Sequence, residues 1–119
     1  MHPTIVANMT ETEFIALADG VLTRIGEALD TGESDVDWQL NDGILEIDCG
    51  EGGGSGGKII VNRHVPNREL WLATKGGGFH FRHVDGRWVD TRGGGDLPQA
   101  LATALEQQAG MTISAEAVR

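Results

Sequence analysis

Glu27, Asp30, Glu33, Asp35 and Asp37 fall within a span of 11 residues, and they are the side chains whose type and spacing could do chemistry together. Carboxylate oxygens on an open surface suit hard ions such as Fe³⁺, Ca²⁺, Mg²⁺ or Mn²⁺. No closed cage is implied, so binding should be weak, with several sites sharing one ridge. A solvated acidic face is the plain alternative. Other candidates carry less. His80 and His83 are three apart on a strand-like run, which puts them on opposite faces and argues against a shared metal. His2 and His64 have no companions in the sequence. Cys49 is the only cysteine, which excludes an intramolecular disulfide and a thiolate cage; it reads as a small buried hydrophobe. The run Gly50 to Gly57 lacks a phosphate-loop arrangement, because Lys58 is followed by Ile59 and no helix comes next. It reads as a flexible hairpin connection. No serine sits in a nucleophile elbow.

The elements that must position these groups follow from period and punctuation. Thr10 and Glu13 form a capping box, with Met9 and Phe14 placed as its hydrophobic staple. Phe14, Leu17, Ala18, Val21, Leu22, Ile25 and Leu29 then make one helical stripe, and Gly32 is the expected stop. Asp19, Glu27 and Asp30 are expected on the side opposite the stripe. The period next changes to two. Val36, Trp38 and Leu40 alternate with Asp35, Asp37 and Gln39, Asn41-Asp42-Gly43 supplies a turn, and Ile44–Asp48 returns. Three or four further strands follow, at Lys58–Asn62, Glu69–Lys75, Phe79–His83 and Arg87–Asp90. Leu70, Leu72 and Thr74 lie on one side of their strand, with Glu69, Trp71 and Ala73 on the other. Asp96 with Gln99 caps a second helix through Leu97, Leu101, Ala104 and Leu105, ending near Gly110, with Pro98 in its first turn. The order helix, strands, helix predicts an α+β two-layer sandwich, both helices on one face of an antiparallel sheet. The other sheet face is left to solvent or a partner.

The chain of 119 residues fits one domain, read as a loose arm over residues 1–9 and a single domain over 10–119. Of its 18 acidic residues, 12 lie in residues 1–51 beside one basic residue; residues 52–119 hold the remaining 6 and 8 basic ones. The front is thus about −11 and the rear +2, from a formal net charge of −9. An acidic front repels phosphate backbones and anionic lipid, so neither nucleic acid nor membrane is an expected partner. No apolar run is long enough to span a bilayer, and the N-terminus lacks the order of a secretory signal. A cytoplasmic location is the resulting expectation.

The stretch Asn62-Arg63 through Pro66 to Glu69-Leu-Trp71-Leu72-Ala73-Thr74-Lys75-Gly-Gly-Gly-Phe79-His80-Phe81 resembles the central strands of the frataxin family, in its bacterial CyaY branch. The likeness runs from about Glu13-Phe14 through the second helix, and Ser34-Asp35-Val36-Asp37 after an acidic helix supports it. The resemblance implies the same plan of helix, antiparallel sheet and helix. It implies weak binding of Fe²⁺ and Fe³⁺ through Glu27, Asp30, Glu33, Asp35 and Asp37, with Asp19 a further candidate. It also implies docking on the cysteine desulfurase and the iron–sulfur scaffold protein. Trp71 would be the exposed tryptophan of that docking surface, with Asn62 and Arg63 near it. No organic cofactor is implied, and a monomer is expected in the absence of iron. The chain departs from relatives that carry paired acids near the helix end: Gly26-Glu27 and Asp30-Thr31 keep one acid of each pair. Its Gly50–Gly57 insert is also longer than the family turn. The leading expectation is a regulatory binding protein, not an enzyme. The alternatives are a ferroxidase or iron store that oxidises Fe²⁺ on surface carboxylates, and an acidic nucleic-acid mimic.

Overall fold

Helix α1 spans Glu11–Thr31 and begins at the capping box read from the sequence. The Thr10 N–H donates to Glu13 Oε1 at 2.9 Å, and the Glu13 N–H donates to Thr10 Oγ1 at 3.1 Å. In this computed structural model residues 9–31, 36–50 and 53–118 are described. Residues 1–8 of the proposed arm over 1–9, the Gly32 stop, and both Glu33 and Asp35 of the acidic set lie outside them. The α1 stripe is buried at Phe14, Ala18, Val21, Leu22, Ile25 and Leu29. Leu17, assigned to that stripe from spacing, is instead 42% exposed. The buried arc runs from Val21 through Ala18 to Gly26, which leaves Leu17 beyond its Val21 edge.

Six strands follow: β1 (Asp37–Asn41), β2 (Ile44–Asp48), β3 (Lys58–His64), β4 (Glu69–Thr74), β5 (Gly77–Val84) and β6 (Arg87–Asp90). Each pairs antiparallel with the next, in the order β1-β2-β3-β4-β5-β6. Hairpin turns at Asp42-Gly43 and Asp85-Gly86 have positive φ at both residues, the geometry that matches strand twist in a two-residue connection. Alternation puts Leu45, Ile47, Ile59, Val61, Leu70, Leu72 and Phe81 on the helix side, all buried. Fully burying one such side chain contributes about 1.5–3 kcal/mol.

Helix α2 (Leu97–Ala109) starts at Asp96, whose side chain accepts from the Gln99 N–H, and ends at Gly110 with φ 65°. Leu97, Leu101, Ala104 and Leu105 face the core. The tail returns through buried Met111 and a 3-10 turn, Ala115–Val118, that packs on both helices. The result is the two-layer α+β sandwich expected, with the sheet's other face covered by neither helix.

The Gly50–Gly57 connection is not the loose hairpin loop that its composition suggested. Its described part docks on the C-terminal end of α2. The N–H groups of Ser55 and Gly56 donate to the carbonyls of Gln107 (3.0 Å) and Gln108 (2.8 Å), which the helix itself leaves unpaired. A Cβ at Gly54 would sit 2.5 Å from the Gln107 carbonyl oxygen. Gly54 has to be a glycine because the loop backbone there lies directly against the helix end.

Candidate functional site

Two regions carry the residues singled out from the sequence: the flank where α1 meets β1, and the uncovered face of the sheet.

On the flank, Glu27 and Asp30 are exposed on α1; Asp37, exposed on the edge strand β1, is one position from Trp38 and so lies on the side of the sheet away from α1, apart from the other two. No cation pairs with Glu27 or Asp37 among the described residues. Asp30 is engaged differently: its Oδ1 accepts from Trp38 Nε1 at 2.8 Å. The Trp38 ring lies across α1 at Gly26, where a Cβ would come within 2.7 Å of it. That contact is the physical reason a side chain is missing from the first acid pair. Asp19 does not join the flank's solvent face. It sits half-exposed on the side of α1 toward β3, and Arg63 Nη1 donates to it at 2.6 Å. Its carboxylate therefore already has a cation. Among the described residues no three histidine, cysteine or acidic side chains converge to hold a metal. The donor chemistry still fits a hard ion held weakly on the surface, since Glu27, Asp30 and Asp37 offer oxygen alone.

On the uncovered face, register brings Asn62, Trp71 and His80 side by side across β3, β4 and β5. Trp71 lies between two imidazoles: His64 at 3.7 Å between ring centroids and His80 at 4.2 Å, each 8° from parallel. The indole N–H donates to Glu69 Oε1 at 2.8 Å. Glu69 is 5% exposed, and its Oε2 accepts from Arg82 Nη2 at 3.1 Å. A shallow groove of about 290 Å³ runs beside this stack, lined by Ile60, Asn62, Trp71, Ala73 and His80 among others. Arg63, grouped with Trp71 from the sequence, points to the opposite side of the sheet. One position from Asn62 on the same strand, it faces the helices and pairs with Asp19 and Asp42 (3.5 Å). His83 also faces the helix side, edge-on to Trp88 at 5.0 Å, so the two histidines of β5 are on opposite faces as expected.

Nearer β1 the same face carries the Lys58–Glu46 pair at 3.0 Å, and the Glu46 carboxylate raises the Lys58 pKa. Cys49, 2% exposed, has its thiol pKa raised by burial first and then by the Asp48 carboxylate. This is the opposite of what a reactive thiol requires.

A family model described as a frataxin-like domain matches residues 7–111. A relative from Cupriavidus metallidurans, named as an iron-sulfur cluster assembly protein CyaY, is 42% identical over 110 residues, covering 89% of this chain and 96% of its own. The frataxin structure from Psychromonas ingrahamii superposes with a TM-score of 0.79 at 32% identity, covering 90% of this chain and 98% of that one. The chain belongs to the frataxin family, in its bacterial CyaY branch. A trimeric yeast frataxin complexed with ferrous iron shares the fold at a TM-score of 0.61 and 24% identity, over 83% of this chain and 85% of that one.

For a frataxin with this sequence, three site features were not read in advance. His64, which seemed companionless in the sequence, is half of the clamp on Trp71. Glu69 is the buried acceptor that fixes the indole. Trp38 holds Asp30. The first two had a usable signal, because positions 62 and 64, 69 and 71, and 80 and 82 share a face once the hairpin registers are counted. The third had none in periodicity, since it joins a helix to an edge strand.

Proposed function

We propose that this chain is an iron-binding regulatory protein of iron–sulfur cluster assembly, rather than an enzyme, working in the cytoplasm. In this reading the acids Glu27 and Asp30 on α1 and Asp37 on β1, with Glu33 and Asp35 between them in the sequence, take Fe²⁺ or Fe³⁺ weakly. The uncovered sheet face docks on the cysteine desulfurase and scaffold complex through Trp71 and Asn62. The observation that carries it is Trp71: a large aromatic held rigidly by two imidazoles and a buried carboxylate on a face no helix covers. Preorganisation of that kind lowers the ordering cost of association, and buried-edge aromatics make interface anchors. Family membership and the curated relative's name support the pathway. The Asp19–Arg63 pair argues for keeping Asp19 as a structural group and Arg63 out of the docking surface. Oxidation of Fe²⁺ by the protein is the second reading; open carboxylates without a ligand cage favour it less.

The test has two arms. In an anaerobic titration followed by amide NMR, Fe²⁺ is expected to perturb signals of residues 27–37, and Mg²⁺ at equal concentration is not. In binding assays on the desulfurase with its scaffold, Trp71→Ala and Asp37→Lys should each weaken binding at least tenfold, the second in a salt-sensitive way. Unselective shifts in the first arm remove iron from the reading. Unchanged affinity of both variants removes the docking face.

A further inference from the structure

Among the described acids Glu27, Asp30 and Asp37, Asp30 is the one whose orientation is fixed by another side chain. Its Oδ1 accepts from Trp38 Nε1 at 2.8 Å, and Oδ2 has no partner among the described residues. The indole can reach it only because position 26 is glycine. A Cβ there would lie 2.7 Å from one Trp38 ring carbon and 3.0 Å from two others. Gly26, Trp38 and Asp30 therefore act as one unit, joining α1 to the edge strand β1. Trp38 is half-buried against the core, so its ring is anchored and its N–H keeps a constant direction.

We infer that Trp38 is a positioning residue for ion capture on this flank, resting on the iron reading above. A free aspartate must surrender side-chain rotation when it takes an ion, whereas Asp30 has already surrendered it to the indole. One oxygen is held and the other is presented to solvent. Hydrogen-bonded outer partners of this kind raise affinity in dedicated sites by roughly 10–100-fold. On an open flank with few ligands the gain should be smaller, about three- to tenfold. In this chain a glycine and an indole thus stand where a second carboxylate would add charge: one donor is lost, and the remaining one is set in place.

The test compares wild type with Trp38→Phe, which keeps a ring over Gly26 and loses the N–H, and with Asp30→Asn, which keeps an acceptor for the indole and loses the charge. Anaerobic calorimetric titration with Fe²⁺ is expected to give three- to tenfold weaker binding for Trp38→Phe, with a thermal melt confirming that the variant is folded. A second readout needs no Trp38 variant. In wild type, titration with diamagnetic La³⁺, a hard oxygen-seeking probe, should move the Trp38 indole N–H resonance upfield as the ion draws charge from Asp30. The same titration of Asp30→Asn should leave that resonance in place. Unchanged Fe²⁺ affinity in Trp38→Phe, or a stationary indole signal while the Glu27 and Asp30 amides respond, overturns the inference and leaves the iron reading standing. If no flank amide responds in wild type, the iron reading fails and this inference falls with it.

Discussion

At the scale of single residues, hydrogen bonds decide which acids are committed to structure and which remain for chemistry. Glu13 is spent on the helix start. Its pKa is lowered, first by the Thr10 backbone N–H it accepts and then by the Thr10 hydroxyl. A depressed carboxyl contributes stability that is present above its unfolded pKa and is lost as pH falls through the lower, folded one. Thermal melts of wild type and Glu13→Gln should therefore differ at neutral pH and converge in acid, the convergence beginning in the ordinary glutamate range and complete only below it. Thr10→Ala, which removes the other half of the box, should cost about 1 kcal/mol by urea denaturation at neutral pH. Asp19 is spent on Arg63, and Asp30 is half spent on Trp38. The capping box was legible because its two members are three residues apart. The Asp19–Arg63 pair, 44 residues apart, was not. Helical angle alone set Asp19 opposite the stripe, but a residue at the stripe's flank faces whatever strand passes beneath it.

At the scale of elements, the glycine-rich connection changes character on contact with α2. Gln108, buried in the last turn of that helix, accepts from the Lys75 N–H at 2.9 Å and donates to the carbonyls of Gly56 (3.1 Å) and Lys58 (3.3 Å). One side chain thus ties the loop, the start of β3 and the β4–β5 turn to the helix. Lys75 Nζ adds a bond to the Ser55 carbonyl at 2.6 Å. Gly54→Ala should cost about 1–3 kcal/mol through overpacking against the helix backbone. Gln108→Ala should cost a similar amount, about 1–3 kcal/mol, by orphaning the Lys75 N–H. Urea denaturation checks both. A flexible linker would tolerate either change, so midpoints equal to wild type would restore the reading from composition. That reading erred because glycine permits mobility and close backbone approach alike, and sequence does not say which is used.

At the scale of the whole molecule, the sheet separates stability from recognition by its two faces. Leu72 packs in the core and Trp71, its neighbour, lies on the uncovered side. Leu72→Ala should cost 2–5 kcal/mol, about the usual range for a core truncation. Trp71→Ala should cost about 1–2 kcal/mol, mainly the loss of two ring stacks at a half-buried position outside the core. Equilibrium denaturation of the two variants tests the separation. If Trp71→Ala proves as destabilising as Leu72→Ala, loss of docking in that variant would report on folding instead of contact. Charge follows a similar division: Glu27 and Asp30 mark the α1 flank and Asp37 the β1 edge of the uncovered face, while the paired Arg82 lies toward that face's other end.

The amino-acid sequence by itself determined the element types, their order, and which side of each strand is apolar, because those depend on periods of 2 and 3.6 residues and on caps and turns that act over a few positions. It also determined the family, through the run from Asn62 to Phe81 and the acidic stretch before it. Only the tertiary structure decided which polar groups are engaged. The partners of Asp30, Asp19 and Gln108 lie 8, 44 and up to 52 residues away, and the imidazoles that clamp Trp71 come from the two strands beside it. Those contacts arise from strand register and from helices settling on a sheet. Both are global outcomes of packing, and local periodicity carries no record of them.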